Sequence, residues 1–391
     1  MHRRKLLQSG LFTIGALTGL PHISLGAFGN QPLPLDKEGN IIRSPLVREV
    51  LPGLRMDPPA LLAKLNANEN PYGPSELAQK AVNESVVRGN RYAWKELFEL
   101  INKISVKEGV PANHIMMGPG SSDLLEKVAI ISFMKGGNIV SADPTYMSLV
   151  NVAQAVDAKW KAIPCKEDWS HDLKAMLAAI DGDTKLVYIC NPNNPTGAVT
   201  SGKELREFCL AVPETVPVFV DEAYMELATG SGTESMVDLI KTKKNIIVAR
   251  TYSKVMGLAG IRVGYIVASP EFISKIDKIT RGGMGIAYTS IYAATASMDD
   301  HAFQEMTIAR NNEVKKFVCG NLDKMGYRYI PSYTNFVLFP ITVPGKKFLA
   351  DMESKGVGVR VFQVKGKTWC RVSMGTMDEM QLFVNTLQAM S

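Results

Sequence analysis

Cysteine and histidine are scarce in this chain. Its five cysteines (Cys165, Cys190, Cys209, Cys319 and Cys370) are odd in number, widely spaced and never set as C-x-x-C, so neither a disulfide framework nor a structural zinc site is signalled. We read them as buried thiols. The five histidines (His2, His22, His114, His171 and His301) lie apart from one another and from carboxylate-rich motifs, which leaves a histidine triad or a histidine-held metal little to work with. Catalysis must come from other groups, and no metal is expected. A large charge excess is missing too: the net charge is +6, and Arg3, Arg4 and Lys5 supply half of it, so charge implies no nucleic-acid partner. Internal repeats and low-complexity tracts are also absent.

What is present begins with an unusual amino terminus. Arg3-Arg4-Lys5 precedes an uncharged stretch, residues 6–20, interrupted by Gln8, Ser9, Gly10, Gly15 and Gly19, and then a small-residue region through Ser24, Gly26 and Ala27. The stretch is too short and too weakly apolar for a membrane anchor. The paired arginines before two leucines resemble a twin-arginine signal, so residues 1–27 are expected to route a folded, periplasmic protein through the twin-arginine machinery. Folding before export suits a protein that acquires a cofactor in the cytoplasm.

Residues 28–60, rich in proline, read as an extended arm. Beyond them, short β-branched runs (138–142, 186–190, 216–220, 245–249 and 262–267) alternate with helical patterns such as 121–134 and 203–211. That alternation predicts an α/β fold, a mostly parallel sheet sandwiched by helices, over residues 61–295. From about residue 300 a long charged helix (303–325) and short strands such as 335–339 predict a smaller α+β domain over 296–391.

The segment Arg250-Thr-Tyr-Ser-Lys254-Val-Met-Gly-Leu-Ala-Gly-Ile-Arg262 carries the strongest chemical signal. Thr251, Ser253 and Arg262 suit an anion, while Lys254, its pKa lowered by burial and nearby positive charge, suits attack on a carbonyl as an amine. Asp221 closes the apolar run Val218-Phe-Val-Asp221, where open α/β sheets place ligand-binding groups, and an acid there can pair with a protonated ring nitrogen. The loop Cys190-Asn-Pro-Asn-Asn194-Pro-Thr-Gly197 is stiffened by two prolines, and its asparagine amide can donate to a ring oxygen. Gly118-Pro-Gly120-Ser121-Ser122-Asp123 opens a helix, presenting free N–H groups to a phosphate. By contrast, Gly282-Gly-Met-Gly285 lacks the G-x-G-x-x-G spacing of a dinucleotide site.

These elements, in this order, resemble the fold type I pyridoxal-phosphate enzymes of the class I and II aminotransferase group, most closely histidinol-phosphate aminotransferase. The resemblance starts near Leu65. It rests on Asn66-Ala-Asn-Glu-Asn-Pro-Tyr-Gly73, Asn90-Arg-Tyr92, Gly120-Ser-Ser-Asp123, Pro144-Thr-Tyr146, the Asn-Pro-Asn-Asn-Pro-Thr-Gly loop, Asp221-Glu-Ala-Tyr224, the lysine segment and Arg371-Val-Ser-Met-Gly-Thr376. It implies pyridoxal 5'-phosphate as cofactor, linked as an imine to Lys254, with Asp221 on the ring nitrogen, Asn194 and Tyr224 on the ring hydroxyl and Tyr146 stacked on the ring. Ser121, Ser122, Thr251, Ser253 and Arg262 would hold the phosphate, with Tyr92 reaching across from a second subunit of a homodimer. Arg371 would clamp a substrate carboxylate, with Arg360, Asn70 and Tyr72 near the same mouth. The chain departs from the family where Ala93-Trp94 follows Tyr92, a place usually taken by Pro-Asp.

The implied activity is amino transfer between an amino acid, or a histidinol-phosphate-like amine, and a 2-oxo acid. The same cofactor also serves decarboxylases, racemases and lyases, chosen by which bond at the α-carbon stands perpendicular to the ring, and the sequence does not reveal that angle.

Overall fold

The computed structural model describes residues 34–52, 60–242, 245–280 and 282–390. The export signal expected over residues 1–27 lies outside them.

Strands are numbered along the chain: β1 (Ile41–Ile42), β2 (Val47–Val50), β3 (Ala63–Lys64), β4 (Ile115–Gly118), β5 (Asn138–Asp143), β6 (Lys159–Pro164), β7 (Thr184–Cys190), β8 (Val218–Asp221), β9 (Ile246–Thr251), β10 (Gly264–Val267), β11 (Phe336–Ile341), β12 (Val357–Gly358), β13 (Arg360–Val364) and β14 (Lys367–Ser373). The large sheet runs β4-β10-β9-β8-β7-β5-β6. Strands β5 to β9 are mutually parallel, and β10 is antiparallel to both β9 and β4. Successive side chains in β7, β8 and β9 go to opposite faces. Val187, Ile189, Val218, Val220 and Val248 join one apolar cluster with helices Trp94–Glu108, Gly202–Ala211 and Tyr288–Asp299. Leu186, Tyr188, Phe219 and Ile247 join another with helices Ser121–Phe133, Ser148–Ala155 and Pro270–Asp277. Burial on both faces is why these strands read as continuous apolar runs.

The second lobe is an antiparallel sheet of order β1-β2-β13-β14-β11, packed against helices His301–Lys324, Gly345–Ser354 and Met377–Met390. It draws on both ends of the chain: the described part of the arm supplies β1 and β2, and β3 pairs with β12. Four of the cysteines are buried and Cys319 is half-buried. Among the described residues no helix is long and apolar enough to cross a membrane, and no group of three or more His, Cys, Asp or Glu is placed to hold a metal ion.

Candidate functional site

The carboxyl ends of β5, β7, β8 and β9 point to one side, where the lobes meet. A cavity of about 710 Å³ opens there. Asp221, the last residue of β8, lies beside Cys190 of β7 and faces into it. The carboxylate is 2% exposed and accepts from the Ala223 amide and the Tyr188 hydroxyl, each at 3.2 Å. Burial pushes it up to about 6, against the pull of those donors and of the Lys254 charge. An acid in such a place is costly to ionise until a cation meets it.

Lys254 enters from the loop after β9. Its Nζ donates to the Asn68 carbonyl at 2.7 Å and lies 5.2 Å from the Tyr224 ring centre. Burial, helped by the charge of Arg371, pushes the amine down to about 8, with Asp221 opposing. The Tyr224 hydroxyl accepts from Asn68 Nδ2 at 2.8 Å, and burial raises its pKa. Tyr146, just after β5, shares a hydrogen bond of 3.3 Å with Ser122, and burial raises its pKa too.

At one end of the cavity Thr251 donates to Ser253 Oγ at 3.0 Å, close to the start of helix Ser121–Phe133. That start has no side-chain cap, so its N–H groups are available to an anion. Two glycines bring the parts together. A Cβ on Gly264 would lie 2.4 Å from the Ser121 nitrogen, and one on Gly120 (φ +93) would lie 2.2 Å from Arg262 Nη2. Arg262 itself sits at φ 59, a left-handed conformation that costs a non-glycine residue on the order of 1 kcal/mol. The position retains its guanidinium despite that strain.

At the other end Arg371 is 3% exposed; Nη1 donates to Asn194 Oδ1 at 2.8 Å, whereas its buried Nε has no partner. Burial, and then the neighbouring Arg360, push the guanidinium down to about 9, with Tyr224 and Glu49 opposing, so it remains charged at neutral pH, and no carboxylate among the described residues forms a salt bridge with it. A ring nitrogen for Asp221, an aldehyde for Lys254 and a phosphate for the helix start are the three features of pyridoxal phosphate, and these residues fit all three.

The structure therefore gathers Ser121, Ser122, Tyr146, Asn194, Asp221 and Tyr224 around one cavity with Thr251, Ser253, Lys254, Arg262, Arg360 and Arg371. Three others lie elsewhere. Asn70 spends its amide on the Val255 carbonyl at 2.9 Å, bracing the lysine loop, and Tyr72 is half-buried outside the cavity wall. Tyr92 is 77% exposed and lines a separate cavity with Trp94 and the Gly282–Gly285 turn. Asn68 was not singled out by sequence, although its amide, Oδ1 and carbonyl engage Tyr224, Ser373 and Lys254. Asn66, Asn68 and Asn70 alternate in one extended motif, and nothing local distinguishes the middle one. Glu49 and Tyr188 were missed because their partners Arg360 and Asp221 are distant in sequence, and Arg43, six residues from Glu49, because it reaches the cavity only through that remote pairing.

Comparison with known proteins agrees with this geometry. The sequence family described as aminotransferase class I and II matches residues 62–387. A histidinol-phosphate aminotransferase 2 of Haemophilus influenzae is 36% identical over 328 residues, 83% of this chain and 89% of that one. The crystal structure of a putative histidinol-phosphate aminotransferase from Erwinia carotovora atroseptica superposes with a TM-score of 0.81 at 31% identity, covering 86% of this chain and 98% of that one. That of the Sinorhizobium meliloti histidinol-phosphate aminotransferase in complex with pyridoxal-5'-phosphate gives 0.78 at 26% identity, covering 85% and 92%. With its lysine, acid and anion cradle assembled on that fold, the chain belongs to the class I and II aminotransferases.

Proposed function

We propose that this protein is a pyridoxal-phosphate-dependent aminotransferase that moves an amino group between an amino acid, or a histidinol-phosphate-like amine, and a 2-oxo acid. The observation that carries the reading is Lys254, a partly buried amine held by the Asn68 carbonyl and acted on by the Asp221 carboxylate and by the Arg371 guanidinium, whose Nε has no partner among the described residues. Bound there, the cofactor supplies an aldehyde that condenses with amines and a protonated ring that takes up electrons from the substrate's α-carbon.

The chain's own residues do the rest. Asp221 would keep the ring nitrogen protonated, Asn194 and Tyr224 would contact the ring hydroxyl, and Tyr146 would cover the ring. Ser121, Ser122, Thr251, Ser253 and Arg262 anchor the phosphate. Arg371 receives the substrate's α-carboxylate, its missing counter-ion. Once displaced by the incoming amine, Lys254 would take the α-proton and deliver it two bonds away, to the carbon on the far side of the transferred nitrogen. Incubating the purified protein with amine donors and 2-oxoglutarate or pyruvate tests the reading: a new amino acid is expected. Loss of carbon dioxide or racemisation without exchange would favour the rival chemistries instead.

The displaced pKa of Lys254 has a kinetic signature. Only the neutral amine attacks an aldehyde, so covalent capture of added cofactor by the apoprotein should quicken with pH up to about 8 and then level off. Stopped-flow absorbance checks this, and a rate still climbing above pH 10 would show an ordinary, exposed lysine.

We further propose a homodimer and export by the twin-arginine route. Exposed Val86, Val87, Tyr92, Trp94 and Phe98 cluster along residues 86–98, an apolar surface suited to a second copy. Small-angle scattering of the active species should give the mass of two chains; an active monomer would remove the role given to Tyr92. For export, fractionation should find the protein in the periplasm, and Arg3→Lys with Arg4→Lys should strand it in the cytoplasm. Equal export of the doubly substituted chain would count against the route.

A further inference from the structure

The antiparallel pairing of β13 with β14 sets Arg360 directly opposite Arg371. Like charges so placed repel. Both side chains nevertheless turn into the cavity over one ring, Phe362, whose centre lies 5.2 Å from the Arg360 guanidinium and 5.6 Å from that of Arg371. The next strand, β2, brings an acid: Glu49 stands opposite Phe362 in the register, 7% exposed. Its Oε1 accepts from Arg360, through Nε at 2.8 Å and through Nη2. Its Oε2 accepts from Arg43 Nε at 2.6 Å. Burial would push the Glu49 carboxyl up, but the two guanidiniums outweigh it and hold it below the usual range, so it is ionised at neutral pH.

Arg43 and Arg360 line the cavity, while Glu49 is not part of its wall and braces them from outside. The same stretch of arm is fastened to the large lobe as well. Asp143, at the end of β5, accepts from Ser44 Oγ at 2.6 Å and from the Leu46 amide at 3.1 Å. The trio of Arg43, Glu49 and Arg360 thus forms a fixed plate with one net positive charge, beside an Arg371 that carries its own.

We infer that Arg43 and Glu49 determine the substrate class: Glu49 clamps Arg43 and Arg360 into a singly charged plate that takes a carboxylate at the substrate's far end and discriminates against a doubly charged phosphate monoester. The inference rests on the aminotransferase reading, with the α-carboxylate on Arg371. A monoanion neutralises the plate, whereas a dianion leaves an uncompensated negative charge close to Glu49 in a largely buried place. Opposed residues on paired strands have Cβ atoms about 5 Å apart, a spacing suited to the two ends of a short diacid.

Calorimetric binding to the holoenzyme near pH 8, where a phosphate monoester carries close to two charges, separates the possibilities. The probes are succinate, butyrate and phosphoglycolate. Succinate should bind about tenfold or more tighter than either of the others, the difference made by one charge-assisted, bidentate contact. Arg43→Ala should abolish the advantage over butyrate and leave butyrate itself within about twofold. Glu49→Gln, which keeps the shape and removes the charge, should raise phosphoglycolate relative to succinate, a change of preference that mere loosening of the sheet does not produce. Phosphoglycolate binding as well as succinate in the unsubstituted protein would overturn the inference. So would an Arg43→Ala variant that weakens succinate and butyrate alike, and Arg43→Lys tests the same contact if the alanine variant folds poorly. Amino-group exchange on the same preparation, with donors that carry a far-end carboxylate and donors that lack one, isolates the underlying reading: its absence from every pair alongside the succinate preference would sink amino transfer and leave the charge plate standing.

Discussion

Lys254→Ala should reduce amino-group exchange by about 10⁴-fold or more, because one side chain supplies both the capturing amine and the proton carrier. Among the described residues no other lysine lines the cavity, and the Asn68 carbonyl holds this one in place at 2.7 Å. The phosphate cradle is independent of that amine, so the variant should still bind the cofactor, with the absorption of a free aldehyde rather than a lysine-linked one. Borohydride reduction followed by mass spectrometry reads the same difference, placing a stable adduct on Lys254 in the unsubstituted protein and nowhere in the variant. Near-normal turnover without the lysine would remove the mechanism.

Asp221→Ala should cost about 10²- to 10³-fold in exchange, the range seen when one preorganised electrostatic partner is deleted. Some cofactor should remain bound through its phosphate. The isosteric Asp221→Asn adds a test by stability. A carboxyl raised to about 6 when folded binds more protons in the native chain than in the unfolded one between its ordinary range and that value, so apoprotein stability falls as pH rises across this window. The asparagine variant avoids that cost. Without cofactor it should outlast the unsubstituted protein above pH 6, by on the order of 3 kcal/mol for a shift of about two units, and the gap should close as pH falls to about 4. Melting curves at both ends of the window check it. A variant that is both active and no more stable would mean that Asp221 is an ordinary structural acid.

Much of the site was legible because its chemistry is local. Asp221 ends an apolar strand, Lys254 sits among hydroxyls, and Ser121 opens a helix behind a glycine turn, so each announces itself within a few residues. The parallel strands of the large sheet were visible for the same reason, as apolar runs buried on both faces. The outermost β6 was missed: its residues Lys159 to Pro164 are at most half-buried and include two lysines. The amino-terminal strands escaped notice because β1 has two residues and β2 four, and both owe their conformation to partners at the far end of the chain. Glu49 and Arg360, 311 residues apart, show the limit most clearly. Neither has a neighbour in sequence that predicts the pair.

That separation also fixes an order of events on the ribosome. At roughly 5–20 residues per second, on the order of half a minute passes between synthesis of β2 and of β13, its partner. Throughout that interval the nascent chain carries strands without a sheet to join, a natural target for chaperones. The last strand of the smaller lobe, β14, ends at Ser373 and follows every other numbered strand, so the mouth of the cavity, where its Arg371 stands, is among the last parts to be made. The larger lobe, complete in sequence by then, has time to fold first and to receive its vitamin-derived ligand before the entrance takes shape.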